Sequence, residues 1–170
     1  VEFVLADAKK SAAGGPGQPE IAALVSHIDL RLGDHLGDVI DQHEEVSQGL
    51  FRGVRHAGAH DDEPALLIPP SAPRGLYEDP DFRRGVAELG RRGHSYDTWH
   101  YHHQNPAFAE LARAVPDTPL VLDHFGTPLG VGRYAGKREE IFAQWKQDIA
   151  AIAQCPNVVA KIGGLAMPAN

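Results

Sequence analysis

Pro119-Leu120-Val121-Leu122-Asp123-His124-Phe125-Gly126-Thr127-Pro128 decides how this chain is read. A short apolar run ends in a polar tip, and a glycine and a proline follow at once. Apolar runs of this length without polar alternation mark strands covered on both faces, as in parallel sheets. Strand alternation puts Leu120, Leu122 and His124 on one face, predicted to be the inward one. His124 is then the polar last residue of an inward row. A histidine at the C-terminal tip of a barrel strand can bind a metal or polarise a carbonyl. A histidine that braces the following loop fits the pattern equally well.

Working outward, similar β-rich runs occupy residues 1–5, 23–30, 50–56, 94–101 and 158–162, giving six predicted strands with residues 119–124. Amphipathic runs separate them. Asp79 can cap a helix with Pro80 in its first turn, with Phe82, Val86 and Leu89 as the buried stripe and Gly93 as the stop. Asn105 and Pro106 open another, with Phe108, Leu111 and Val115 inward. Residues 137–154 carry Ile141, Trp145, Ile149 and Ile152 at helical spacing, with Glu139 and Glu140 at the positive end of the dipole. Residues 34–47 form a further helix, weakened by Gly37. The repeated β-then-α order predicts a single α/β domain over residues 1–170, built on a parallel sheet. Two long segments, 57–78 and 125–136, follow strands directly and therefore sit at the C-terminal end of the sheet, where such folds place active sites.

Composition narrows the function. A net charge of −7 argues against a nucleic-acid surface, which needs clustered Lys and Arg. No apolar run reaches the roughly 20 residues of a membrane span. Residues 1–10 lack a secretory pattern, and the single Cys155 fits a reducing cytoplasm. The expected partner is a small molecule, and self-association is compatible with the sequence.

Phe51-Arg52-Gly53-Val54-Arg55-His56 carries two arginines in one strand, so at least one should face a ligand or an acid. Arg55, nearer the strand end, suits bidentate contact with a carboxylate. Arg52, on the opposite face, suits a helix acid. In Tyr96-Asp97-Thr98-Trp99-His100-Tyr101-His102-His103-Gln104, alternation groups Asp97, Trp99 and Tyr101 against His100 and His102. Asp97 on an inward face needs a partner. His100 and His102 could share a metal, but with His103 they are expected at the rim. Lys161 interrupts the apolar run Val158-Val159-Ala160-Lys161-Ile162 and suits a substrate oxygen or an interior ion pair. The Gly-rich stretch from Gly126 to Gly132 lacks the spacing of either phosphate-binding loop and reads as a mobile lid.

At these residues the chain resembles the amidohydrolase-related TIM-barrel metal-dependent hydrolases, a group with sugar lactonases, pyrone-dicarboxylate lactonase and some non-oxidative decarboxylases. The likeness rests on four pieces in order: Phe51 to His56, Tyr96-Asp97-Thr98-Trp99 leading to Gln104, Val121 to Pro128, and Cys155-Pro156-Asn157-Val158-Val159-Ala160-Lys161-Ile162-Gly163-Gly164-Leu165. It implies a (β/α)8 barrel of which strands two to seven are present, since the family's first-strand His-x-His pair and eighth-strand Asp have no counterpart here. It further implies His124 and Asp97 as catalytic residues, with His124 also a ligand of a divalent metal such as zinc or manganese, although some relatives work without one. Arg55, Gln104, Lys161 and Trp99 become substrate contacts. The implied reaction is opening of an acidic or sugar-derived lactone. Decarboxylation of an aromatic or unsaturated acid, and a catalytically silent barrel piece that binds or oligomerises, are the competing expectations.

Overall fold

The computed structural model describes residues 1–69 and 71–164. Its centre is a five-stranded sheet of β1 (Leu24–Ser26), β2 (Phe51–Arg55), β3 (Ser95–Thr98), β4 (Leu120–Leu122) and β5 (Val158–Ala160). The strands are all parallel and lie in sequence order. Helices α2 (Leu36–Ser47), α3 (Pro80–Arg91), α4 (Asn105–Ala114) and α5 (Arg138–Ile152) supply the crossovers. Sequential parallel strands with a helix in every crossover are the repeating unit of a (β/α)8 barrel.

The first of the six predicted strands is absent among the described residues. Residues 2–5 instead belong to helix α1 (Glu2–Ala12), with Val1 at its N-cap, Glu2 in its first turn and Lys9 and Lys10 in its last. Five apolar-rich residues resemble a strand, but the alanine-rich continuation and dipole-matched charges favour a helix through Ala12.

The start of α3 follows its sequence signals. The Asp79 carboxylate accepts from the Asp81 and Phe82 amides, with Pro80 in the first turn. Phe82, Val86 and Leu89 are fully buried. They join Ile40, Val54, Tyr96, Phe108, Leu111, Leu120 and Leu122 in one core between sheet and helices.

That core reverses the expected orientation of β4. Leu120 and Leu122 face the helices, and Val121 and Asp123 take the opposite parity. An apolar strand covered on both faces does not reveal which face is which. His124 also leaves the alternation, because its backbone is left-handed at φ 53°.

Candidate active site

Register assembles the site. Arg55 pairs with Asp97, Asp97 with Val121, and Val121 with Val159, which forms one row on the sheet face away from the helices. One step on, the Lys161 amide donates to the Leu122 carbonyl at 2.9 Å, so Lys161 lies beside Asp123. The Lys161 ammonium donates to Asp97 Oδ2 at 2.5 Å and contacts Asp123 Oδ1 at 3.2 Å. Arg55 Nη2 lies 2.6 Å from Asp123 Oδ2. Two buried carboxylates thus face two cations that remain about half exposed.

Burial and the neighbouring Asp97 charge push Asp123 above the usual carboxylate range, against the pull of Lys161 and Arg55. Burial disfavours the Lys161 charge, yet its contacts with Asp97 and Asp123 outweigh that and raise its pKa. Lys161 is therefore a cation at neutral pH. Both Asp123 contacts are ionic pairs without hydrogen-bond geometry, and Asp97 Oδ1 has no hydrogen-bond partner among the described residues.

His124 follows Asp123 in a turn where His124, Phe125 and Thr127 all have positive φ. Non-glycine residues in such conformations cost on the order of 1–3 kcal/mol each and concentrate at functional sites. The ring lies against Gly164, where a Cβ would come within 2.3 Å of Nδ1, and Gly164 itself has φ 70°. His124 Nδ1 is buried without a hydrogen-bond partner among the described residues. At the other end of the turn, Gly126 at φ 64° leaves room for the Asn105 side-chain oxygen, which a Cβ would overlap.

The remaining candidates hold loops. Trp99 Nε1 donates to Thr127 Oγ1 at 2.8 Å. Gln104 Oε1 accepts from the His60 and Tyr101 amides, and Nε2 donates to the Gly58 carbonyl, so its polar atoms are all taken by backbone. Arg52 donates to the carbonyls of Gly49 and Phe51, not to a helix acid.

The rim expectation fails for His100 and His102. His100 is fully buried, with Nδ1 at 2.8 Å from the Tyr77 hydroxyl and Nε2 at 2.9 Å from Asn105 Oδ1. His102 is buried and accepts from the Leu129 amide. Burial holds both near pKa 4, hence neutral. His103 is partly exposed, about 3.8 Å from Asp61.

The Gly-rich segment is tied down, unlike a mobile lid. Thr127 is held by Trp99 and by the His102 amide, and Trp145 donates to the Phe125 carbonyl at 2.7 Å. Arg133 and Tyr134 both donate to buried Asp61, joining this segment to residues 57–78.

Asp123 is the residue that sequence reasoning missed. Its signal was present: a carboxylate next to a buried strand, with a lysine interrupting the following one.

No three His, Cys, Asp or Glu among the described residues are close enough to hold a metal ion. A catalytic zinc normally takes three protein ligands, and both buried carboxylates here are already matched to cations. The described residues by themselves do not fit a metal centre.

The amidohydrolase family model matches residues 23–168. This chain belongs to the amidohydrolase family. Two curated relatives are similar to this chain. An uncharacterized protein, y4mH, of Sinorhizobium fredii is 36% identical over 147 residues, covering 85% of this chain and 44% of that protein. L-fucono-1,5-lactonase of Burkholderia multivorans is 28% identical over 153 residues, covering 90% and 47%. A crystal structure of an amidohydrolase from Burkholderia multivorans with bound zinc superimposes with a TM-score of 0.71 at 29% identity, covering 96% of this chain and 49% of that one. The amidohydrolase chain described here therefore spans about half the length of the relatives it matches. None of its described helices is long and apolar enough to cross a membrane.

Proposed function

We propose that this chain supplies the central strands of a hydrolase that opens a lactone or similar cyclic ester. The observation that carries the reading is Lys161 held between Asp97 and Asp123, with Arg55 on Asp123, at the C-terminal strand ends beside His124. The name of the Burkholderia lactonase supports the substrate class.

In ester hydrolysis charge develops on the carbonyl oxygen, and preorganised donors lower that barrier. Lys161 is a cation fixed by two carboxylates, and it offers a remaining N–H to that oxygen. His124, whose ring is partly exposed although Nδ1 is buried, is the second side chain available to it. Arg55 is half exposed and suits the carboxylate or hydroxyls of an acidic or sugar-derived substrate. Trp99 and Gln104 set the loops that enclose it. The carboxylate that activates water is assigned outside these residues, as the family resemblance implies. Were zinc or manganese held, His124 is the ligand this chain would contribute, and no step here depends on it.

A hybrid barrel tests the proposal, with residues 23–168 replacing the matching stretch of the zinc-bound Burkholderia protein. It is assayed by product analysis on lactones and on aromatic carboxylic acids. Lactone opening that falls about 100-fold or more on Arg55→Ala or Lys161→Ala supports the reading. A hybrid that is folded by circular dichroism but releases carbon dioxide from aromatic acids, or opens no lactone, overturns it. The 170-residue chain alone is expected to show little or no turnover, even with added zinc or manganese. Robust hydrolysis by that chain, abolished by His124→Ala, would show that it builds a complete site itself.

A further inference from the structure

A cavity of about 500 Å³ is lined by residues of the segment after the 124–127 turn and of α5, and none of the residues in the Lys161 network lines it. Its size falls within the roughly 300–1,000 Å³ of small-molecule sites. The walls come from the Gly-rich segment, with Leu129 and Tyr134, and from the first two turns of α5, with Arg138, Ile141, Phe142 and Trp145.

Its aromatic wall is already built. The Phe142 and Trp145 rings stack at 5.5 Å with 25° between planes. The hydrogen bond from Trp145 Nε1 to the Phe125 carbonyl fixes the indole at its edge. Phe142 remains 55% exposed although it is a large apolar ring.

The charge is equally specific. Arg138 is the cavity's only charged lining residue. The ten other arginines all have a hydrogen-bonded or ionic partner among the described residues. Arg138 has none, although Glu139 and Glu140 are its chain neighbours.

We propose that this cavity binds a planar organic anion, an aromatic carboxylate being the simplest member, with its ring against Phe142 and Trp145 and its carboxylate on Arg138. Guanidinium matches a carboxylate bidentately, and offset aromatic pairs add favourable contact beyond area burial. Arg138 is exposed and hydrated; an uncharged apolar segment would strip that water without replacing it, whereas a small anion matches the charge.

The test uses the 170-residue chain with 2-naphthoate as probe and 2-naphthamide as its neutral analogue. Binding is read by calorimetry and by the NMR signal of the Trp145 indole N–H, assigned with Trp99→Phe. Saturable binding of naphthoate that moves the Trp145 signal, with naphthamide at least 10-fold weaker, is expected. Arg138→Gln should weaken naphthoate at least 10-fold, and Phe142→Ala should weaken both ligands with unchanged circular dichroism. Arg84→Gln, on the distant helix α3, should change nothing. Equal binding of the two ligands, or naphthoate binding unaffected by Arg138→Gln, would reduce the cavity to a charge-blind apolar patch and overturn the proposal. So would absence of binding. A concentration-dependent dimer by light scattering that is abolished by Phe142→Asp would show a self-association face, which also overturns it. Each of these failures leaves the lactone assay untouched, because the two sites share no residue.

Discussion

The two faces of the sheet are built on different physics. The helix face carries Val54, Tyr96, Leu120 and Leu122, all essentially without solvent contact, packed into one apolar core. The opposite face carries Arg55, Asp97, Asp123 and Lys161, and its apolar members Val25 and Val159 are 47% and 62% exposed. Apolar burial therefore resides on one face and paired charge on the other. Titratable groups divide in the same way. The helix side keeps His56 and His100 neutral among aromatic rings, whereas the open side keeps its charges and pairs them.

Four measurements test this contrast. Phe108→Ala on the helix face should destabilise the fold by about 3–5 kcal/mol in urea unfolding, the range for large aromatic truncations in a core. A loss below about 1 kcal/mol would mean that the helix face does not carry the fold.

Acid should attack the helix side first. His56, His100 and the loop residue His102 have pKa values of about 4 when folded, against about 6.5 unfolded, chiefly because burial disfavours their charged form. Between those values the unfolded chain binds more protons, so stability is full above pH 6.5 and falls as pH drops toward 4. Each histidine contributes on the order of 3 kcal/mol to that slope at most. His100→Gln should flatten the dependence of the urea midpoint on pH over this window, and an unchanged slope would contradict the assignment.

On the open face, Lys161→Met leaves two buried carboxylates with only Arg55. A loss of about 1–3 kcal/mol at pH 7 is expected. Because burial and the Asp97 charge hold Asp123 above its ordinary range, that loss should shrink as the pH is lowered and Asp123 takes up a proton. A loss that grows in acid would place the cost elsewhere. The smallest effect is predicted for Val159→Thr, within about 0.5 kcal/mol, as for other exposed positions. A larger loss would mean that this face is covered in solution.

Sequence patterns recovered what local rules govern. The Asp79-Pro80 helix start and the cores of five strands are visible in spacing and punctuation. What was misread depended on distant chain. The face of β4 was reversed because Leu120 and Leu122 are compatible with either side until α3 and α4 arrive. His100 was expected at the rim, yet Tyr77, from the long segment after β2, covers it. Residues 1–5 look like a strand until the seven residues after them are included. In the candidate site, Arg55, Asp97, Lys161 and His124 could be singled out one by one. Their wiring through Asp123 could not, because register between β4 and β5 decides which lysine meets which carboxylate.

The Lys161–Asp97 link spans 64 residues of chain. A ribosome adding about 5–20 residues per second needs roughly 3–13 seconds to make that interval. For that time the nascent β3 carboxylate exists before its lysine has been made. Arg55 is already in place when Asp123 emerges, so one of the two acids has a waiting counter-ion and the other does not. Docking of β5 thus brings the second cation to this cluster, and a pause in translation before residue 161 would prolong the interval in which Asp97 waits for it.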